Sequence, residues 1–333
     1  MSLEISKSTT LKSIIFSKNI FKKKYWSIWF VRNLNKLKDP FIIYNIFQKF
    51  KKINKRVYKL KDPLSNKILY FPTYPQRQTA LSDLYYRKYF FEGVSEIVNN
   101  LNCKYILDVG ANVGMYARAY SIFGKDIEII SIEPNLLNIS FLAKNINDLT
   151  NIFIFHMGLS NKFGRFDTKL PKYASTRIRE RKFMTGLLTA VGNENKKGSR
   201  FMRGDKFLEF LNLNPNEVGW IKIDVEGFEK NVVEGFSNLM NKINAVFEIE
   251  MNSNTMKISG FSAMELIDYM KIYKYYPYVE SRFIDGIKMA KRESFDIYFS
   301  KSNAIKIFPR KLNLVKLPIN YVEIWHNNLV HKY

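Results

Sequence analysis

The residues best suited to chemistry fall in three short runs. Asp108-Val109-Gly110-Ala111-Asn112-Val113-Gly114 follows a short apolar stretch and precedes a helical one. Its glycines therefore sit in a strand-to-helix turn, where the backbone can approach a ligand closely. Glu133-Pro134-Asn135 ends the next apolar run, with Glu133 twenty-three residues after Gly110, and Asp224-Val225-Glu226-Gly227 ends a later one. An acid at the end of the second strand of such a unit can accept both hydroxyls of a ribose, so the first two runs point to a nucleoside cofactor.

The turn also discriminates between nucleosides. A dinucleotide site wants Gly-x-Gly-x-x-Gly, with the middle glycine clearing room for a pyrophosphate above the helix N-terminus. Asn112 stands in that middle place. Its side chain would crowd a pyrophosphate but can hydrogen-bond the amino acid end of S-adenosylmethionine (SAM), which has no phosphate. Asp108 suits the ammonium group of that end through a charge-assisted bond. Asn135, closing the second strand's turn, is counted with the cofactor contacts. A glycine turn that merely starts a helix would look similar, but with Glu133 in place the pattern favours SAM over NAD.

Methyl transfer requires an acceptor to be positioned and relieved of its proton, so a carboxylate or histidine close to the acceptor is expected. Asp224 is the first candidate, for the methionine end or as the base. Glu226 is the second, with the alternative that it caps the helix starting near Phe228, because a carboxylate is stabilised at a helix N-terminus. Glu248 and Glu250, two apart on one face of the next strand, could join Asp224 around a magnesium ion, although paired acids at a strand end are often merely solvated, and no metal is assigned. His156 reads as a core or near-core histidine, and His326 and His331 offer no catalytic geometry.

These residues need a scaffold of alternating strands and helices, and residues 104–300 supply one. Apolar runs at 105–109, 127–132, 152–157, 220–225, 245–249 and 296–299 read as strands, and 81–101, 114–123, 136–147 and 262–273 as helices. Short, largely apolar strands between helices predict a mostly parallel sheet covered on both faces, with the ligand beyond the strands' carboxyl ends. Residues 160–204 interrupt this alternation, and 185–199 read as a disordered or lid-like loop. Residues 10–60 read as helical, with a break at Asp39-Pro40, and 62–76 as a turn-rich linker. The predicted organisation is a basic helical extension over 1–75, a cofactor-binding domain over 76–305 and a tail over 306–333.

Composition bounds the rest. With 46% hydrophobic residues, 333 residues can bury a full core. Apolar runs break off well before the roughly 20 residues of a membrane span, and the start lacks a secretory signal's pattern, so a cytoplasmic location is expected. Cys103 is the only cysteine, which excludes a disulfide framework or a cysteine-ligated metal within the chain. The net charge is +23, and residues 1–62 hold sixteen Lys or Arg against three acids, a net +13. Lys22, Lys23 and Lys24 beside Tyr25, Trp26 and Trp29 suit peripheral contact with an anionic membrane through residues 10–60, or form a basic helical cap on the domain.

In order and spacing, residues 106–114, 132–135 and Ile221-Lys222-Ile223-Asp224-Val225-Glu226-Gly227 resemble the FkbM family of methyltransferases. The third run is the most specific of the three, and Gly158-Leu159-Ser160-Asn161-Lys162-Phe163-Gly164 and Asp205-Lys206-Phe207-Leu208 are looser matches. The resemblance covers about residues 80–300. It implies a class I methyltransferase, Rossmann-like, with a seven-stranded, mostly parallel sheet whose last strand is reversed. It also implies SAM as cofactor and O-methylation of a sugar, glycan or small metabolite. By the same resemblance Asp108, Gly110, Asn112, Gly114 and Glu133 contact the cofactor, and Gly158 and Leu159 flank its adenine. Two other readings stand beside it. A ribose methyltransferase acting on RNA would use the basic N-terminal region, while base methylation is disfavoured because the third run is not an Asn- or Asp-Pro-Pro-aromatic loop and Cys103 precedes the first strand. A non-catalytic module binding SAM or lipid surfaces is the other.

Overall fold

Alternation along the central strands decides the architecture. In β4 (Tyr105–Val109), Ile106 turns to one face of the sheet while Leu107 and Val109 turn to the other, and every core strand repeats this two-residue period. β5 (Glu128–Ile132) divides Ile129 from Ile130 and Ile132, and β6 (Ile152–His156) divides Ile154 from Phe153 and Phe155. In β11 (Val218–Ile223), Trp220 opposes Ile221 and Ile223, and in β12 (Val246–Asn252), Val246 opposes Phe247 and Ile249. Both faces are apolar, so both must be covered. All of the residues just named are within 1% of full burial, each contributing about 1.5–3 kcal/mol if extended-chain exposure is the reference.

The computed structural model describes residues 29–31, 57–169, 189–194, 198–283, 294–301, 308, 309, 312–318, 320, 322 and 325. Five parallel strands run in the order β6-β5-β4-β11-β12, and two further strands close that side: β14 (Ser294–Lys301), antiparallel to both neighbours, and β13 (Tyr275–Glu280). These seven strands with the last in sequence reversed are the predicted sheet. Two short antiparallel strands lie outside them, β1 (Trp29–Val31) on β6 and β15 (Leu314–Lys316) on β13. On one face pack α1 (Tyr74–Tyr86), α2 (Lys88–Asn100), α3 (Met115–Phe123) and α4 (Leu136–Asn145). On the other pack α5 (Gly204–Phe210), α6 (Glu229–Glu234) and α8 (Ala263–Ile272), while α7 (Ser253–Ser259) follows β12.

Local signals start the helices. Asn135 caps α4 by accepting from the amides of Leu137 at 2.8 Å and Asn138 at 3.4 Å, and Ser262 with Glu265 forms a reciprocal capping box on α8. The predicted helix over 81–101 is two helices, with the chain breaking at Arg87, which caps both.

The structure departs from expectation at both flanks of the glycine turn's domain. The segment read as the end of a helical extension and a linker contains a hairpin, β2 (Tyr58–Lys61) with β3 (Ile68–Phe71). Leu60, Leu69 and Phe71 of this hairpin are buried in the same core as α1 to α4. Val31 and its two predecessors are extended rather than helical; the other residues of 10–56, including the lysine and aromatic cluster at 22–26, lie outside the described residues. The interruption at 160–204 holds a second sheet of β7 (Gly158–Ser160), β8 (Gly164–Lys169), β9 (Thr189–Glu194) and β10 (Ser199–Arg203), in the order β7-β10-β8-β9. Residues 189–194 of the expected lid are thus a strand, and 170–188 and 195–197 are outside the described set, as are His326 and His331. No helix among the described residues is long and apolar enough to cross a membrane.

Candidate active site

Register lines up a polar row across the middle of an apolar sheet. Ser131, Asp108, Lys222, Glu248 and Tyr298 are consecutive partners on β5, β4, β11, β12 and β14, all on the face that carries Trp220. One step nearer the carboxyl ends, Glu250 pairs with Asp296, and β11 gives way to the turn holding Asp224 and Glu226. Beyond these ends opens a cavity of about 800 Å³. It lies where β4, which starts the fold's first crossover, has neighbours entered in opposite directions along the chain.

One half of the cavity is built by the glycine turn. Gly110 (φ +86°) folds the chain tightly against the next strand's end, where a Cβ would lie 1.9 Å from the Asp224 carbonyl oxygen. Only glycine fits there. The Gly110 and Ala111 amides donate to the Ile132 carbonyl at 2.8 and 3.1 Å, tying the turn to β5. Gly114 (φ +83°) precedes α3 and lets Leu142 of α4 pack against the turn. Asn112, itself left-handed at φ +49°, lines the cavity, and its Oδ1 accepts from Gln76 Nε2 at 3.0 Å.

Two acids face this half. Asp108 is fully buried, and neither of its carboxylate oxygens has a full hydrogen-bond partner, although the Ala117 amide favours its charge. Burial lifts it to about 6, against the pull of Lys222 and with a push from Asp224. A buried carboxylate with no donor awaits one. Glu133, 5% exposed, accepts the Asn112 amide on Oε2 at 2.9 Å and the Asn135 amide on Oε1 at 2.7 Å. Burial raises it to about 7 despite those amides. The Asn138 side chain also bonds to it, and since a carboxylate offers about four acceptor positions, the group that secures the turn can still take a ribose hydroxyl.

The other expected contacts divide. Gly158 and Leu159 line the cavity, and a Cβ at Gly158 would lie 2.2 Å from the Phe201 ring, so that strand approaches closely by being glycine. Asn135 lines it too, but its Oδ1 is spent on capping α4. His156 lies outside the cavity, with Nε2 3.1 Å from the Pro134 carbonyl, and burial lowers its pKa. Cys103 is buried away from the site, its thiol pushed up to about 11 by burial.

The remaining half of the cavity is acidic. Asp224 is 37% exposed, with Lys222 Nζ donating to its Oδ2 at 2.8 Å. Burial works against the charge on Lys222, but Asp224, Asp108 and Glu248 outweigh it and hold the ammonium firmly protonated. Glu226 does not cap α6. It is left-handed at φ +56°, and Glu229 does the tethering, its Oε1 accepting the amides of Val225 at 3.2 Å and Gly227 at 2.9 Å. Glu226 is thereby held toward Asp224 and Glu250, the three offering oxygens within 4.8 Å of one another. Burial, then the neighbouring acids, raise the pKa of Glu226 and Glu250 well above the carboxylate range.

Glu248 does not join this cluster. It sits one layer deeper, accepting Tyr120 Oη at 2.9 Å and Trp220 Nε1 at 3.1 Å, with Arg87 at 3.4 Å. Sequence reasoning missed Asp83 of α1, Arg87 at the α1–α2 break and Asp296 of β14, all on the cavity wall. Arg87 stacks on the Phe90 ring at 4.1 Å, reaches Asp296 at 3.3 Å and donates to Tyr116 and Tyr298 hydroxyls. Burial lifts Asp83 to about 6, against Arg87. No local motif marks these residues. Lys222 was in view within the third run, and its charge between two acidic positions was the available signal.

A sheet in this strand order with a reversed last strand, and a glycine turn between two buried acids, are the architecture of the class I SAM-dependent methyltransferases. The chain belongs to a particular family of that class: the methyltransferase FkbM domain matches residues 108–277. No curated protein matches it. Among solved structures it is similar to a methyltransferase FkbM from Methylobacillus flagellatus KT at 14% identity and a TM-score of 0.38, over 60% of this chain and 44% of that one. The chain thus spans less than half the length of that protein. It is also similar to a SAM dependent methyltransferase from Aquifex aeolicus, at 12% identity, a TM-score of 0.34 and coverage of 68% of this chain and 98% of that one. A putative caffeoyl-CoA O-methyltransferase from Staphylococcus aureus is similar at 12% identity and a TM-score of 0.32, over 63% of this chain and 82% of that one.

Proposed function

We propose that the protein transfers a methyl group to a hydroxyl of a sugar, glycan or small metabolite. The observation that carries this reading is the acid-rich second half of the cavity, where Asp83, Asp224, Glu226, Glu250 and Asp296 line the wall. Such a wall accepts hydrogen bonds from a neutral polyol and repels the phosphates of a nucleic acid. It supports a hydroxyl-bearing acceptor over the ribose of RNA.

In this reading Asp108 takes the cofactor's ammonium group, Asn112 lies beside the same end, Glu133 takes the ribose hydroxyls, and Gly158 with Leu159 flanks the adenine. Bound SAM supplies a sulfonium methyl, which passes to the acceptor oxygen and leaves a neutral thioether. Asp224 has the proton to manage. Lys222 holds its Oδ2, so its other oxygen is the one available to an acceptor hydroxyl, and that oxygen receives the hydroxyl proton as the new carbon–oxygen bond forms. Lys222, anchored between Asp108 and Asp224, keeps the carboxylate oriented.

The test is Asp224→Asn with thioether product release measured over a panel of sugars and polyols. Turnover is expected to fall by about 10²–10⁴-fold, the usual loss for a general base, with SAM affinity preserved. Near-normal turnover would remove Asp224 from the mechanism, and transfer to amines but no hydroxyl would overturn the acceptor class.

A further inference from the structure

We propose that Asp224, Glu226 and Glu250 bind a hard divalent cation, of the magnesium, manganese or calcium class, at the acceptor end of the cavity. The three carboxylates come from separate pieces of chain: the end of β11, the turn after it and the end of the neighbouring β12. Their oxygens converge within 4.8 Å of one another. Ligands about 2.0–2.6 Å from such a cation lie about 3 Å apart when adjacent and 4–5 Å apart when opposed, so the existing separation admits an ion without moving the backbone.

A second observation is independent of the clustering. Glu226 Oε2 is shut off from solvent and has no hydrogen-bond partner. A buried carboxylate oxygen left without a donor is costly, and the residue lining that same cavity holds it among acids instead of turning it to water. Among the described residues the cation paired with the cluster is Lys222, and it is bound to Asp224 Oδ2. A divalent ion supplies both the missing partner for Glu226 and the missing charge.

The donor set selects the class of ion. All three ligands are carboxylate oxygens, with no imidazole or thiolate among them, which suits hard cations and not zinc or copper. Three protein ligands leave positions for water and for an acceptor oxygen, and an oxygen held there is more acidic than a free hydroxyl; Asp224 would ligate through the Oδ2 it shares with Lys222 and keep its other oxygen for the hydroxyl proton. That role rests on the methyl-transfer reading above; the binding itself does not.

The measurement is a titration of the chelator-treated full chain with Mn²⁺, followed by water-proton relaxation, with Mg²⁺ and Ca²⁺ as competitors. Wild type, Glu226→Gln and Glu250→Gln are compared, and SAM affinity is measured on each sample as the check on folding. One saturable Mn²⁺ site per chain is expected, weakened about 10–100-fold or more in either variant, since even residues behind the ligands cost that much. SAM affinity should persist. If Glu226→Gln fails to fold, Glu250→Gln alone carries the comparison. Absence of saturable Mn²⁺ binding to wild type that still binds SAM would overturn the site, as would an affinity that neither substitution changes. A chain that binds Mn²⁺ in this residue-dependent way but not SAM supports the cation site and contradicts the methyl-transfer reading.

Discussion

Glu133 does two jobs with one carboxylate. Its oxygens hold the amides of Asn112 and Asn135, so the residue proposed to grip the ribose also sets the shape of the turn proposed to hold the amino acid end. Burial keeps it at about 7, and the unbound protein therefore carries it half protonated near neutrality. Ribose hydroxyls bond most strongly to the ionised form. SAM affinity should rise as pH climbs, about tenfold per unit below 7, and level off above; calorimetry from about pH 6 to 8 checks this, and Glu133→Gln should flatten the profile. A wild-type affinity that is flat across that range would contradict the role. Residues such as Glu133, Gly110 and Asp108 were legible in the sequence because their work is local: a strand end, a turn and a spacing. Glu248 was misplaced because alternation reports which face a side chain takes and not how deep it lies. Two residues along β12 separate a cavity wall at Glu250 from the interior network of Tyr120, Trp220 and Arg87.

Among the elements, the hairpin of β2 and β3 shows where sequence reading fell short. Asp62-Pro63 looks like a turn, and it is one, but Asp62 is wholly buried and accepts Arg118 Nε at 2.8 Å. Arg118 also reaches Asp148 at 2.7 Å and the Asn145 carbonyl at 2.8 Å, joining the hairpin to α3 and α4. Such a contact spans 56 residues of chain and leaves no periodic trace. We propose on this packing that the methyltransferase unit begins at the hairpin and not at residue 76. Arg118→Met should cost about 3–5 kcal/mol, because it strands a buried carboxylate, and urea unfolding measures it; a loss under 1 kcal/mol would show the hairpin to be loosely attached. The parallel strands, by contrast, were readable as apolar runs. The sheet of β7 to β10 was not, since its strands are short and polar and are recognised by their pairing with one another.

Across the whole molecule, charge is segregated. The chain carries +23, yet the described cavity gathers acids at the ends of its central strands. The basic surplus is concentrated in residues 1–62, and we propose that any attraction to anionic surfaces acts through that segment and leaves acceptor choice to the cavity. Methyl transfer depends on that cavity accepting a sulfonium nucleoside and rejecting a diphosphate. Calorimetry of the full chain with SAM, S-adenosylhomocysteine and NAD, on wild type and Glu133→Ala, measures this directly. The predicted result is one SAM per chain, no detectable NAD binding, and SAM affinity about 10–100-fold weaker in Glu133→Ala, as for the loss of charged hydrogen bonds of about 1.5–3 kcal/mol. NAD bound tightly with SAM excluded, or a SAM affinity indifferent to Glu133, would contradict it.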